Sequence, residues 1–115
     1  MSEIVTPDQI VQALSEVRRE AEKGIQAQYD AEVELAEKVA AADKLEAGVY
    51  LRIQGLVADR QALAKLEATE ARFEVDIAKA KYNRVKTKLQ MLQQQQSALQ
   101  TQARMVEITY INSHR

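Results

Sequence analysis

The chain has 115 residues, enough for one domain, with one Phe, four Tyr, no Trp and a formal net charge of −1. It has no cysteine, so disulfides and thiol chemistry are excluded, and its only histidine, His114, stands beside the C-terminus and leaves no ligand set for a metal. One Pro and three Gly, beside abundant Ala, Glu, Lys, Leu and Gln, are the composition of long helices; the few bulky residues make too thin a core, so other chains are expected to complete it.

The N-terminal stretch MSEIVTPDQ has neither a basic segment followed by an apolar run nor an Arg-rich amphipathic one. No stretch approaches the roughly 18 apolar residues of a membrane span. The expectation is a soluble protein of the cytoplasm with no membrane partner.

Thr6-Pro7-Asp8-Gln9 reads as a helix start. Thr6 caps, Pro7 takes the first helical position, Asp8 favours the positive dipole end, and Gln9 completes a capping box. From there Leu14, Val17, Ala21, Ile25, Tyr29, Val33, Ala36 and Ala40 recur at spacings of three and four, one apolar face of a long helix. Gly24 interrupts it at modest cost. Residues 49–53, VYLRI, alternate like a short strand, but no partner strand is in sight, so the helix is expected to run from about 7 to 53. Gly55 is the stop, with a bend over about 54–57. A second helix is expected over about 58–111, with a kink near Thr69.

The second helix carries the clearest pattern. Ala64, Ala68, Ala71, Val75, Ala78, Tyr82, Val85, Leu89, Leu92, Gln96, Leu99, Ala103, Val106 and Tyr110 alternate spacings of four and three, a heptad seam. Leu63, Leu66, Phe73, Ile77 and Ala80 run beside its first half as a second stripe. The fold expected is all-α: a long antiparallel helical hairpin of coiled-coil type that assembles into a homo-oligomer, for which a ring is one closure. Val85, Leu89, Leu92, Leu99 and Val106 are the expected oligomer seam, with Gln96 as the polar seam residue that fixes register or subunit number.

Charge is divided between the halves. Residues 1–48 carry 5 Lys or Arg against 11 Asp or Glu, and residues 49–115 carry 11 against 6. No acidic residue occurs between Asp76 and Glu107, and this stretch opens with Lys79, Lys81, Arg84, Lys86 and Lys88. At about 100° per residue, Lys81, Arg84 and Lys88 form one row and Lys79 and Lys86 a second. Two basic rows suit a phosphate chain, and a single strand is the natural ligand because neutralising its backbone needs no base readout. The competing reading is a solvated face, or salt bridges to the acidic first helix. Tyr82 is placed to stack on a base but also lies in the seam, where packing would claim it.

Catalysis finds no support. There is no Gly-rich phosphate loop, no nucleophile with a base, no cluster of metal ligands, and no cofactor motif. The expectation is a non-enzyme without cofactor or metal.

One segment carries a resemblance. In V49-Y-L-R-I-Q-G-L-V-A-D-R-Q-A-L-A-K-L-E-A-T, the residues Tyr50, Gly55, Val57, Ala58, Asp59, Arg60, Ala62 and Ala64 match a pattern shared by a group of small phage proteins of similar length. That group resembles the UvsY-type recombination mediators of T-even phages. The motif covers about 20 residues, and the architecture, a long helix before it and a longer basic one after, covers residues 10 to 110. The resemblance implies a helical, ring-forming protein in the host cytoplasm that binds single-stranded DNA. It would help load a phage recombinase past the single-strand-binding protein. Two departures stand out: mediators of this type have a more elaborate linker, and this chain is slightly acidic overall. A second reading is a coiled-coil protein-binding module without nucleic-acid binding, either a structural adaptor or a phage inhibitor of a host defence enzyme. A prefoldin-like holdase ranks last, because VYLRI offers one strand where prefoldin bends carry β-hairpins.

Overall fold

The computed structural model describes residues 6–113. Helix α1 spans Pro7–Arg52, α2 Val57–Glu67 and α3 Thr69–Ser113, and no strand occurs among the described residues. His114 lies outside them.

Several helix limits have a local cause. The Gln9 amide donates to Thr6 Oγ1 at 3.2 Å and the Thr6 amide to Gln9 Oε1 at 3.0 Å, the reciprocal bonds of a capping box. Pro7 opens α1 where no amide is required. Residues 49–52 of VYLRI are helical, and the Ile53 amide closes the last turn on the Val49 carbonyl at 3.1 Å. Gly55 then takes φ 134°, a backbone conformation that side chains with a Cβ rarely adopt. The next break is a single residue, Ala68, with φ −87° and ψ 2°. Its amide still reaches back to the Ala64 and Leu66 carbonyls. Thr69 does not cap α3; its hydroxyl donates to the Lys65 carbonyl at 3.2 Å, a back-bond of the kind that bends helices.

The chain divides into two compact units. The open-end unit joins residues 6–26 to 86–113, and the bend unit is Ala27–Val85. Both pair α1 with α3 in antiparallel sense. In the bend unit, Glu34, Lys38 and Asp43 meet Lys81, Glu74 and Arg72 in that order. In the open-end unit, Gly24 faces Leu89, while Ile10 and Val11 share a cleft with Ala103 and Val106.

The heptad of α2 and α3 is the inward face. Ala64, Ala68, Ala78 and Leu89 are buried, the other seam positions from Ala71 to Val106 are half-buried, and Tyr110 alone is exposed. Val85, Leu92, Gln96, Leu99 and Val106 are therefore largely covered within one chain, and Leu89 is only 6% exposed.

The inward face of α1 departs from the sequence reading. Val17 and Ala21 are buried and Leu14 half-buried, but Ile25, Tyr29, Val33, Ala36 and Ala40 are exposed. The covered line continues instead through Gly24, Gln28, Ala31, Leu35, Lys38, Ala42 and Val49. The core of the bend unit explains why. It consists of Ala31, Ala42, Ala64, Ala68 and Ala78 with Val49, and helices that meet on alanine lie close together. Tyr29 or Val33 would not fit between them.

Candidate nucleic-acid interface

The acid-free stretch lies entirely within α3. Lys79, Lys81 and Arg84 belong to the bend unit, and Lys86 and Lys88 to the open-end unit. All five are exposed. Their charges are disposed differently. Lys81 Nζ donates to Glu34 Oε2 of α1 at 2.9 Å, with the two side chains 60% and 39% exposed. An ion pair so open to water contributes a few tenths of a kcal/mol at most and yields readily to a phosphate. Lys79, Arg84, Lys86 and Lys88 form no ion pair with any described residue.

Tyr82 is committed elsewhere. Its ring sits in the seam, half-buried, and its hydroxyl donates to Glu32 Oε1 at 3.4 Å. Packing in the seam competes with any stacking on a base, so phosphate contacts are the readier use of the basic stretch.

The acidic helix spends its cross-helix contacts lower in the bend unit. Arg72 Nη2 donates to Glu46 Oε2 at 2.6 Å and to Asp43 Oδ1 at 2.7 Å. The hydrogen bond to Glu46 first, and that to Asp43 next, hold the guanidinium pKa above its ordinary value. Lys38 reaches Glu74 at 3.7 Å. Sequence reasoning anticipated such pairs in general but did not single out Arg72. Its signal was an arginine seven residues N-terminal to the basic stretch, flanked by Glu70 and Glu74.

The segment that carries the family resemblance builds the bend. Arg60 donates from Nε and Nη2 to the Tyr50 carbonyl at 3.2 and 2.9 Å. Its guanidinium also lies 4.2 Å from the centroid of the Tyr50 ring. The Tyr50 carbonyl is one of the last four of α1, which have no partner within the helix. Arg60 thus satisfies it and places a cation at the negative end of the helix dipole. Tyr50, Gly55 and Arg60 act together on chain reversal, away from the basic stretch in sequence.

Among the described residues no cluster of His, Cys, Asp and Glu is arranged to hold a metal ion. Among the same residues no helix is long and apolar enough to cross a membrane. Compared with known proteins, the chain matches no family model, no curated protein and no solved structure.

Proposed function

We propose that this chain is a phage-type recombination mediator, a homo-oligomer that binds single-stranded DNA and assists recombinase loading past the single-strand-binding protein. The observation that carries the reading is the state of the basic stretch: of its five cations, only Lys81 forms an ion pair with a described residue, and that pair is open to water. Lys79, Arg84, Lys86 and Lys88 stay exposed although the chain holds a surplus of acids on α1 that could have covered them. The cations of each unit contact phosphates separately. Weak contacts of this kind gain strength when several chains present them together, because each further contact is made at high effective concentration. The recombinase and the single-strand-binding protein enter through the resemblance at Tyr50–Ala64, and the DNA ligand through charge.

The exposed side chains of Leu63, Leu66, Phe73 and Ile77 favour the second reading, a protein-binding module that ignores nucleic acid. Fluorescence anisotropy with a labelled oligo-dT separates the two. The mediator reading expects binding at about 50 mM salt, and a loss of at least tenfold in affinity for Lys79→Glu combined with Lys86→Glu and Lys88→Glu. Wild-type protein that leaves the oligonucleotide free at that salt would leave the protein-binding module as the function.

A further inference from the structure

One exposed face of α3 is self-complementary. Within the bend unit the chain's only phenylalanine, Phe73, is 63% exposed, and Ile77, one turn on, is 48% exposed. An aromatic and an aliphatic side chain left together in water on one helix face call for a covering surface. At about 100° per residue, Glu70, Phe73, Ile77 and Arg84 fall within about 60° of one another. They lie off the seam through Val75, Ala78 and Tyr82.

The charges on this face are free in a particular order. Glu70 and Arg84 are exposed, and neither forms an ion pair with a described residue. The charges nearest to them towards α1 are already paired, Glu74 with Lys38 at 3.7 Å and Lys81 with Glu34 at 2.9 Å. Glu70 stands seven residues before Ile77 and Arg84 seven after, about 10 Å each way along the axis. A second copy laid across Ile77 in the same direction would set Glu70 against Glu70 and Arg84 against Arg84. Laid antiparallel, it sets each Glu70 against Arg84 of the other copy, twice over, with Ile77 on Ile77 and Phe73 of each chain over Ala80 and the aliphatic stem of Lys81 of the other.

We propose that the α3 face from Glu70 to Arg84 is an isologous, antiparallel contact between two copies of this chain, with Ile77 on its two-fold axis. The inference deepens the proposed function and rests on it only for the claim that the chain oligomerises; the DNA ligand does not enter. It takes Arg84 out of the phosphate-binding set in the assembled protein and leaves Lys79, Lys86 and Lys88 to that role.

Light scattering without nucleic acid tests it, with circular dichroism to verify that each variant stays helical. The wild type is expected at an even multiple of 13.0 kDa. Phe73→Glu, Glu70→Arg and Arg84→Glu should each lower that mass, the charge reversals by raising the dissociation constant about tenfold or more. The double variant Glu70→Arg with Arg84→Glu should restore it, because the pairs re-form with their signs exchanged. A wild-type monomer, an odd number of chains, single reversals that keep the wild-type mass, or a double variant no better than the singles would each overturn the contact. The exposed Glu70→Arg substitution keeps the test valid even if Phe73→Glu disturbs the fold. A monomer that binds oligo-dT would sink this contact and the homo-oligomer part of the proposed function while leaving the DNA ligand. An oligomer that keeps its mass under the single reversals would sink this contact alone, and an even-numbered oligomer that ignores oligo-dT would sink the DNA reading alone.

Discussion

The two units solve the same packing problem with different residues. The bend unit meets on alanine, and its helices are joined at the rim by Glu34–Lys81, Lys38–Glu74 and the double contact of Arg72. The open-end unit buries Ile10, Val17 and Leu89 with Ala21, and no ion pair joins α1 to α3 among its described residues. The contrast follows from side-chain reach. Where two helices meet on small residues, Lys and Arg can span the gap to an acid on the facing helix. Where they meet on larger apolar residues, stability comes from fit, and the cations point to water. Reach permits a pair without imposing one: Lys81 is engaged in the bend unit, whereas Lys79 and Arg84 there, like Lys86 and Lys88 of the open-end unit, form no ion pair with a described residue.

The largest effect expected from this contrast is at Leu89. Truncating a leucine that is only 6% exposed should cost about 2–5 kcal/mol, read as a shift of the urea midpoint. A loss below about 1 kcal/mol would show that the open-end unit does not depend on that side chain.

Chain reversal should be next. Gly55 holds φ 134°, so Gly55→Ala places a Cβ in a conformation L-residues avoid, and about 1–3 kcal/mol of stability should be lost. No space constraint contributes, because nothing lies within 4 Å of that Cβ. A thermal melt unchanged by the substitution would mean the bend can relax to another backbone shape.

The two helical glycines sharpen the comparison through a single type of substitution. A Cβ on Gly48, in the bend unit, would meet nothing within 4 Å, so Gly48→Ala should stabilise by about 0.5–1 kcal/mol. A Cβ on Gly24, in the open-end unit, would lie 3.0 Å from Leu89 Cδ1. Leu89 is buried there and cannot move aside freely, so Gly24→Ala should give up the propensity gain and destabilise. Equal gains in the two melting temperatures would dissolve the distinction between the units.

How far the sequence exposed this arrangement depends on the residue type at each position. The capping box at Thr6 and Gln9, the reversal at Gly55 and the heptad from Ala64 to Val106 were legible, because capping chemistry, positive φ and a repeat of apolar residues each leave a direct mark. That α1 of the same chain covers part of the heptad was not, since the repeat reads equally as a seam between copies. Nor was the inward face of α1. Its heptad is regular, but Gly24, Gln28 and Lys38 occupy it, while the bulkier Ile25, Tyr29 and Val33 beside it draw the eye to the wrong stripe. Volume misled because the partner helix is lined with alanine and demands small neighbours. At the candidate site the basic rows were legible as charge. Which cation is paired was not, since Glu34 lies 47 residues from Lys81 in sequence and only the fold brings them together.

The smallest stability effect belongs to that pair. Lys81→Gln should cost a few tenths of a kcal/mol, and Lys86→Gln nothing measurable, because only the former has an ion-pair partner among the described residues. Chemical denaturation at low salt resolves the difference, and a larger loss from Lys86→Gln would show that its charge is used within the fold.

The salt dependence of oligo-dT binding tests the central claim most directly, that the cations of α3 are held free for phosphates. Bound phosphates release counterions, so the logarithm of the association constant should fall linearly with the logarithm of salt between about 50 and 200 mM, with a slope of about −0.7 for each phosphate neutralised. The account predicts a steep negative slope worth several phosphates, flattened when Lys79, Lys86 and Lys88 are reversed. Binding with a flat slope, or a slope that the reversal leaves unchanged, would contradict it.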